Sequence, residues 1–416
     1  MFIVILGAVL ALMHVYLWKR LVKDTTRRGP ARRVLSAVLL GLAALLIAAL
    51  LLPRVFGPAD AGWYAWPGYL WFGVAAYLLL TLLVLEPVRL LLRRWVRRAP
   101  SAPEPEDPNA LSRRLFLARA SAVAAGAASV GLVGVGTATA LGPPDLLRVP
   151  VRLRALDPAF RGFRIAVVSD IHLGSLLGRA HTERIVGMIN EAEPDLVAIV
   201  GDLVDGTVAE LGSAAAPLRD LAAPDGAFFV TGNHEYFVDD TAEWLREMAR
   251  WGVHPLRNEN TAIRRGSGVL NLAGVNDLVG ERHSEGPDFD RALSGLSSGG
   301  PTILLAHQPV QVEESAARGV DLQLSGHTHG GQMWPFHYLV RAAQPSLAGL
   351  SRVDDTQLYV TRGAGSGARR CASAPRPTSQ CSPSMTRKTN RRRAFREPCP
   401  PGSARCPPAE TRGRRW

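Results

Sequence analysis

The sequence predicts a bundle of N-terminal transmembrane helices followed by a layered α/β domain. Two observations carry this. Residues 2–18, 34–52 and about 67–85 are charge-free apolar runs, and Ala120 to Leu141 forms a fourth run rich in Ala and Gly. Stretches approaching 20 apolar residues are long enough to span a bilayer. After Pro150 the pattern changes to short apolar runs alternating with helical ones, as expected of strands and helices stacked in layers. A hydrophobic content of 47 % and a mean hydropathy of +0.07 are high for a wholly soluble chain.

The first three runs place three transmembrane helices in residues 1–99. Trp63, Tyr64, Trp66, Tyr69 and Trp71 at the start of the third form an interfacial aromatic belt. His14, alone in the first run, is read as incidental rather than as a proton relay. The segment 19–33 carries Lys19, Arg20, Lys23, Arg27, Arg28, Arg32 and Arg33. Segment 86–114 carries Arg89, Arg93, Arg94, Arg97, Arg98, Arg113 and Arg114, whereas 53–66 carries only Arg54. Short loops rich in Lys and Arg stay cytoplasmic, so the N-terminus is expected outside. Residues 100–111 are a polar, proline-rich linker. Residues 112–142 combine Arg113-Arg114-Leu115-Phe116-Leu117 with the weakly hydrophobic fourth run. They resemble a twin-arginine export signal, which makes the Tat export machinery a candidate partner, or they are an ordinary fourth transmembrane helix. Either way, everything after Pro143 is expected outside the cytoplasmic membrane. Ala138-Thr139-Ala140 has the small-x-small form of a signal-peptidase site, which would place cleavage after Ala140.

The charge excludes one class of partner. The chain has 48 Lys and Arg against 36 Asp and Glu, yet residues 366–416 hold 13 of the basic and two of the acidic residues. The remaining 35 and 34 nearly cancel, so the body of the protein has no electrostatic call for nucleic acid. All four cysteines (Cys371, Cys381, Cys399, Cys406) lie in the same tail, leaving the main fold without a disulfide.

In the α/β region, five apolar strands each end in polar residues of metal-ligand type. The run 163–168 ends in Ser169-Asp170-Ile171-His172, and 195–200 in Gly201-Asp202-Leu203-Val204-Asp205. The run 227–230 ends in Thr231-Gly232-Asn233-His234-Glu235, 302–306 in His307, and 320–324 in Gly326-His327-Thr328-His329. Helices are expected over Arg179–Glu191 and near 214–222. Ligands in layered α/β folds gather at the C-terminal strand edge. His327 and His329, two apart in extended chain, share a face there. Hard oxygens plus imidazole, without thiolate, suit Mn, Fe, Zn or similar divalent ions. Asp205 and Glu235 are read as supporting or helix-capping groups rather than ligands. His181, His254, His283 and His337 are read as core or surface residues.

These motifs, in this order, resemble the calcineurin-like metallophosphoesterase superfamily over about 161–365, and within it the bacterial membrane-linked or Tat-exported phosphohydrolases. The resemblance implies a four-layer α/β/β/α sandwich, with the domain at 150–365, and a centre of two divalent metal ions. It implies that Asp170, His172 and His329 hold the first metal, that Asn233, His307 and His327 hold the second, and that Asp202 bridges them. His234 would be the catalytic histidine, donating to a phosphoryl oxygen or the leaving group. A metal-bound hydroxide would attack the phosphorus of a phosphate mono- or diester. A site outside the membrane favours cell-envelope phosphoesters. A pyrophosphate hydrolase of the UDP-2,3-diacylglucosamine type and a non-catalytic membrane scaffold are the alternatives.

Residues 357–365 still match the family ending; residues 366–416 do not. Back-translated with permitted GC-rich codons and shifted by one nucleotide, 366–377 can read Phe-Trp-Gly-Pro-Pro-Val-Arg-Val-Gly-Ala-Pro-Pro, which is that ending. The tail is therefore expected to be frameshifted and disordered. A basic tail that binds nucleic acid or anionic lipid is the competing reading, and the coding DNA distinguishes the two.

Overall fold

The structure is a computed structural model, described for residues 2–58, 61–97, 113–142, 144–238, 240–331 and 334–365. The linker at 100–111 and the tail at 366–416, with the readings made of them, lie outside the described residues.

The N-terminal part is helical. Helix α1 (Phe2–Leu17) runs on into a π-helical stretch, Trp18–Lys23, and is followed by α2 (Pro30–Leu51), the short α3 (Pro53–Phe56), α4 (Gly62–Arg97) and α5 (Arg113–Leu141). Four segments, Val4–Lys23, Pro30–Leu51, Gly62–Leu92 and Arg113–Thr139, are long and apolar enough to cross a membrane. The third helix is longer than its charge-free run because it absorbs the aromatic start and the arginine-rich end, with Pro67 and Pro87 inside it. The helices meet over Met13, Leu17, Leu39, Ala75, Leu78, Leu82 and Ala125. Polar groups add direction to that contact, as they do between helices in lipid. His14 Nδ1 donates to Leu10 O at 2.8 Å, and its Nε2 accepts from Trp71 Nε1 at 3.1 Å, so His14 ties α1 to α4. Glu86 accepts from Tyr16 Oη at 2.9 Å and pairs with Arg20 at 2.8 Å.

The remaining strands and helices build two facing sheets. They are β1 (Ile165–Val168), α6 (Arg179–Glu191), β2 (Leu196–Val200), α7 (Val208–Ala215), β3 (Ala227–Val230), α8 (Thr241–Arg250), β4 (Val253–Pro255), β5 (Glu259–Arg265) and β6 (Gly268–Gly274). After them come α9 (Phe289–Ala292), β7 (Thr302–Leu305), α10 (Val312–Ala317), β8 (Leu322–Ser325), α11 (His337–Ala343), β9 (Gly349–Val353) and β10 (Thr356–Val360). The first sheet is parallel in the order β1-β2-β3-β4; the second runs β5-β6-β7-β8-β10-β9, antiparallel only at its two ends.

Alternation along the strands makes the layers. In β2, Leu196, Ala198 and Val200 enter the core between the sheets, where they meet Leu272, Ile303, Leu305, Leu322 and Leu324 of the second sheet. Val197 and Ile199 point the other way, to a core shared with Ile185, Leu211, Trp244 and Met248 of α6, α7 and α8. In β7, Ile303 and Leu305 face the first sheet, while Leu304 packs with Phe289 and Ala292 of α9. With both faces covered, the central strands β2, β3 and β7 read as nearly continuous apolar runs. The result is the expected four-layer α/β/β/α sandwich.

One helix is displaced from its expected position near 214–222. Thr207 and Glu210 form a capping box that starts α7 at Val208, and Pro217 turns the end into a 3-10 stretch, Ala216–Asp220. The indole of Trp244, 1 % exposed, donates to Gly206 O at 2.9 Å and so ties this core to the loop after β2. Trp244→Ala is expected to cost about 3–5 kcal/mol, read as a lower urea midpoint for the full-length protein in detergent; an unchanged midpoint would contradict this packing.

Candidate metal centre

Each site residue sits in a loop just past a strand end, where the polypeptide must turn sharply. Asp170, His172, Asp202, His327 and His329 all have left-handed backbone, with φ of 52°, 48°, 53°, 71° and 49°. Such conformations cost of order 1–3 kcal/mol for a non-glycine residue and collect at functional sites. The loops are also packed too tightly for larger residues at some positions. At Gly201, φ is +79° and a Cβ would stand 2.6 Å from His307 Nδ1 and 2.7 Å from Gly232.

Glu235, wholly buried, holds the loops together from below. Its carboxylate accepts from the backbone N–H of Asp202 at 3.0 Å, of Leu203 at 2.7 Å and of Gly232 at 2.6 Å. It therefore clamps the β2 loop to the β3 loop. Asp205 works from above: its Oδ1 accepts from His172 Nδ1 at 3.0 Å and from His234 Nδ1 at 2.6 Å.

The loops bring together Asp170, His172 and His329 in one group, and Asp202, His307 and His327 in another; a third group joins His172, Asp205 and His234. In each of the first two, acceptor atoms face each other at a distance that only a proton or a cation between them makes favourable. His172 gives its Nδ1 hydrogen to Asp205, which leaves the Nε2 lone pair 3.2 Å from His329 Nε2, itself 3.5 Å from Asp170 Oδ1. His307 gives its Nδ1 hydrogen to Val200 O at 2.8 Å, leaving buried Nε2 without a hydrogen-bond partner, 3.2 Å from Asp202 Oδ2. Asn233 Oδ1 is likewise buried and without a partner. Asp202 Oδ2 also lies 3.7 Å from His172 Nε2, so this one oxygen looks toward both groups. Facing acceptors need a proton or a cation between them, and the donor set fits divalent ions. The Nδ1–H···carboxylate and Nδ1–H···carbonyl bonds are those that orient metal-bound imidazoles.

The pKa shifts record the same potential. Burial opposes charge on His172, but Asp205, Asp202 and Asp170 outweigh it and hold the group at about 9. Burial opposes charge on His307 as well, yet Asp202 raises it well above its ordinary value. His327 is pushed down to about 4 by burial and by the neighbouring His307, so its lone pair is free at neutral pH. Burial disfavours the charged form of Asp205, but the two imidazoles bonded to it hold it well below the usual carboxylate range.

The calcineurin-like phosphoesterase profile matches residues 163–331. The chain is 33 % identical over 377 residues to the transmembrane protein with metallophosphoesterase domain of Danio rerio, covering 88 % of this chain and 84 % of the relative. This chain belongs to the calcineurin-like metallophosphoesterases. The metallophosphoesterase is also 39 % identical over 241 residues to the Bos taurus transmembrane protein with metallophosphoesterase domain, covering 55 % of this chain and 54 % of that one. It is 32 % identical over 265 residues to the uncharacterized metallophosphoesterase YkuE of Bacillus subtilis, covering 61 % and 91 %. Among solved structures, Haemophilus influenzae NAD nucleotidase aligns at TM-score 0.35 and 15 % identity, over 49 % of this chain and 45 % of that one.

Reading by motif left two groups underused. Asp205 is the shared support of two histidines, a role visible only once three loops are folded together. Thr361 to Gly365 wraps the first ligand loop: Ala364 N donates to Ser169 O at 2.8 Å, Gly365 N to Asp170 O at 2.7 Å, and His181 Nε2 to Ala364 O at 2.9 Å. A Cβ at Gly363 would stand 2.7 Å from Asp170 Cβ, so the close glycines were the signal. His181, a residue outside the motifs, is a buried prop of this wrap. His254 and His283 are exposed, and His337 is half-buried at the start of α11.

Protons and a cation compete for His172 and His307. The folded pKa of His172 is raised, so without an added cation its contribution to stability is complete below about 6.5 and fades as pH rises through about 9. Manganese binding is accordingly expected to release protons near neutral pH and to tighten as pH rises toward about 9. Calorimetry in buffers of different ionisation enthalpy measures this; affinity that is flat over that range would contradict the assignment.

Proposed function

We propose that this metallophosphoesterase is a membrane-tethered, dimetal hydrolase of phosphate mono- or diesters, with its domain at 150–365 outside the cytoplasmic membrane. The observation that supports it most is the pair of ligand groups meeting at Asp202 Oδ2. In this reading Asp170, His172 and His329 hold one divalent ion, Asn233, His307 and His327 hold the other, and Asp202 serves both. Manganese, iron and zinc all suit these ligands. Two such ions, when bound, supply Lewis acidity to the phosphoryl oxygens and activate water.

The chain's own contribution centres on His234. Its Nδ1–H is fixed on Asp205, so Nε2 is the nitrogen left for substrate. Burial works against its positive charge, but Asp205 and Asp202 outweigh it and raise the pKa. In its protonated form the imidazole can hydrogen-bond a phosphoryl oxygen and pass its Nε2 proton to the departing alkoxide. Unlike His307, which is fully buried, His234 is partly open to the surface. Asp205, by holding His172 and His234 together, sets the spacing between a ligand and the acid. Asn233 adds a neutral oxygen to the second group, which limits the negative charge that an incoming phosphate meets.

The external placement rests on the basic segments 19–33 and 86–114, which bracket the single arginine of 53–66. Envelope phosphoesters are then the accessible substrates. Full-length protein with added Mn²⁺ is expected to hydrolyse bis-p-nitrophenyl phosphate. His234→Ala is expected to lower kcat by about 10²–10⁴-fold, with Asp202→Asn at least as damaging. Wild-type rates in both variants would overturn the reading.

A further inference from the structure

The opening of the centre carries a rim of apolar side chains that the proposed chemistry does not use. Helix α11 has no buried residue. Its Tyr338 and Leu339 are 62 % and 67 % exposed, and Trp334 and Phe336, just before it, are exposed as well. The helix is anchored beside the ligands, since a Cβ at Gly331, two residues past His329, would stand 2.5 Å from His337 Cβ. At the other side of the opening Phe237, 60 % exposed, lies edge-on to His234 with ring centroids 5.3 Å apart.

The transmembrane bundle reaches the same edge. Pro58, in the loop between α3 and α4, sits 2.7 Å from where a Cβ of Gly206 would stand, and a Cβ at Gly62 would be 3.3 Å from Ser175 O. Gly206 directly follows Asp205, and Ser175 lies in the loop that carries Asp170 and His172. Asp240, three residues past Phe237, accepts from Val208 N at 2.8 Å, which ties the segment after β3 to the start of α7, two residues beyond Gly206. The connector leaving α5 is apolar too, with Leu146 and Leu147 exposed.

Exposed Trp, Tyr, Phe and Leu side chains close to a charged centre are unusual on a water-facing surface. Beside membrane-crossing helices it has a natural solvent. Trp and Tyr prefer the headgroup level of a bilayer, and short helices with apolar faces lie in that plane. We propose that this rim seats on the bilayer that the helices cross, and that the substrate is a phosphoester of a membrane lipid, presented at headgroup depth. The proposal rests on the phosphoesterase reading above. In the reaction, a water oxygen bonds to phosphorus and releases one proton to solvent, the P–O bond to the leaving alcohol breaks, and that oxygen takes the proton held by His234, which solvent replaces. A lipid phosphodiester thereby gives a phosphomonoester and an alcohol.

The test uses full-length protein in vesicles of equimolar phosphatidylglycerol, phosphatidylethanolamine and cardiolipin, with Mn²⁺. Lipid hydrolysis is followed beside turnover of soluble bis-p-nitrophenyl phosphate. The double variant Tyr338→Ser/Leu339→Ser touches no ligand. It is expected to lose about tenfold or more in lipid turnover and to keep soluble turnover within roughly twofold. Tyr338→Phe/Leu339→Met, equally apolar, is expected to restore lipid turnover, which separates seating from misfolding. Soluble turnover without lipid turnover in the wild type, or equal lipid turnover in the serine variant, would overturn the lipid proposal and leave the phosphoesterase reading standing. Loss of both activities in the wild type would overturn the two together.

Discussion

The centre depends on holding like atoms face to face. An imidazole nitrogen beside another imidazole nitrogen, and a third beside a carboxylate oxygen, repel unless a positive charge lies between them. Folding must supply the force that keeps His172 against His329 and His307 against Asp202, each pair 3.2 Å apart. That force comes from two sources. The two-sheet core fixes where the strands end, and hydrogen bonds to Glu235, Asp205 and Val200 O fix how the loops leave them. Left-handed backbone at five site residues is the cost of the turn. The apolar layers on both sides of each sheet offset it.

The same arrangement explains which parts of the site were legible in the sequence. Asp170, His172, Asp202, Asn233, His234, His307, His327 and His329 stand directly after buried strands, so a continuous apolar run followed by ligand-type residues marks each of them. Asp205 and Glu235 looked like supporting groups because they trail the motif. Which groups they support depends on contacts between loops some 30 residues apart, and no local pattern encodes that. The β5–β6 hairpin was not legible either, because Glu259-Asn260-Thr261-Ala262-Ile263-Arg264-Arg265 has one buried apolar residue, Ile263, among seven. It is an edge strand whose outer face meets water. Helix α7 begins before the expected 214–222 because the capping box of Thr207 and Glu210 starts it at Val208.

The aromatic rim was illegible for a different reason. Phe237, Trp334, Phe336, Tyr338 and Leu339 carry the composition of core residues, and in a water-soluble fold they would be buried. Sequence periodicity reports hydrophobicity and is silent on which solvent satisfies it. In this chain there are two apolar environments, the sandwich interior and the hydrocarbon beside α1, α2, α4 and α5. A residue that finds neither is informative because both were within reach of the chain.

The contact between Pro58 and Gly206 joins these considerations. Gly206 O accepts the indole hydrogen of Trp244, so the residue that meets the transmembrane loop is pinned from below by the largest buried side chain of the domain. Asp205, its neighbour, holds His172 and His234. A displacement of the loop between α3 and α4 therefore passes through one peptide unit to the carboxylate that bonds His172 and His234. The domain core resists that displacement on one side and the membrane-spanning helices define it on the other. On this geometry the loop before α4 and the two histidines bonded to Asp205 are joined through residues 205 and 206.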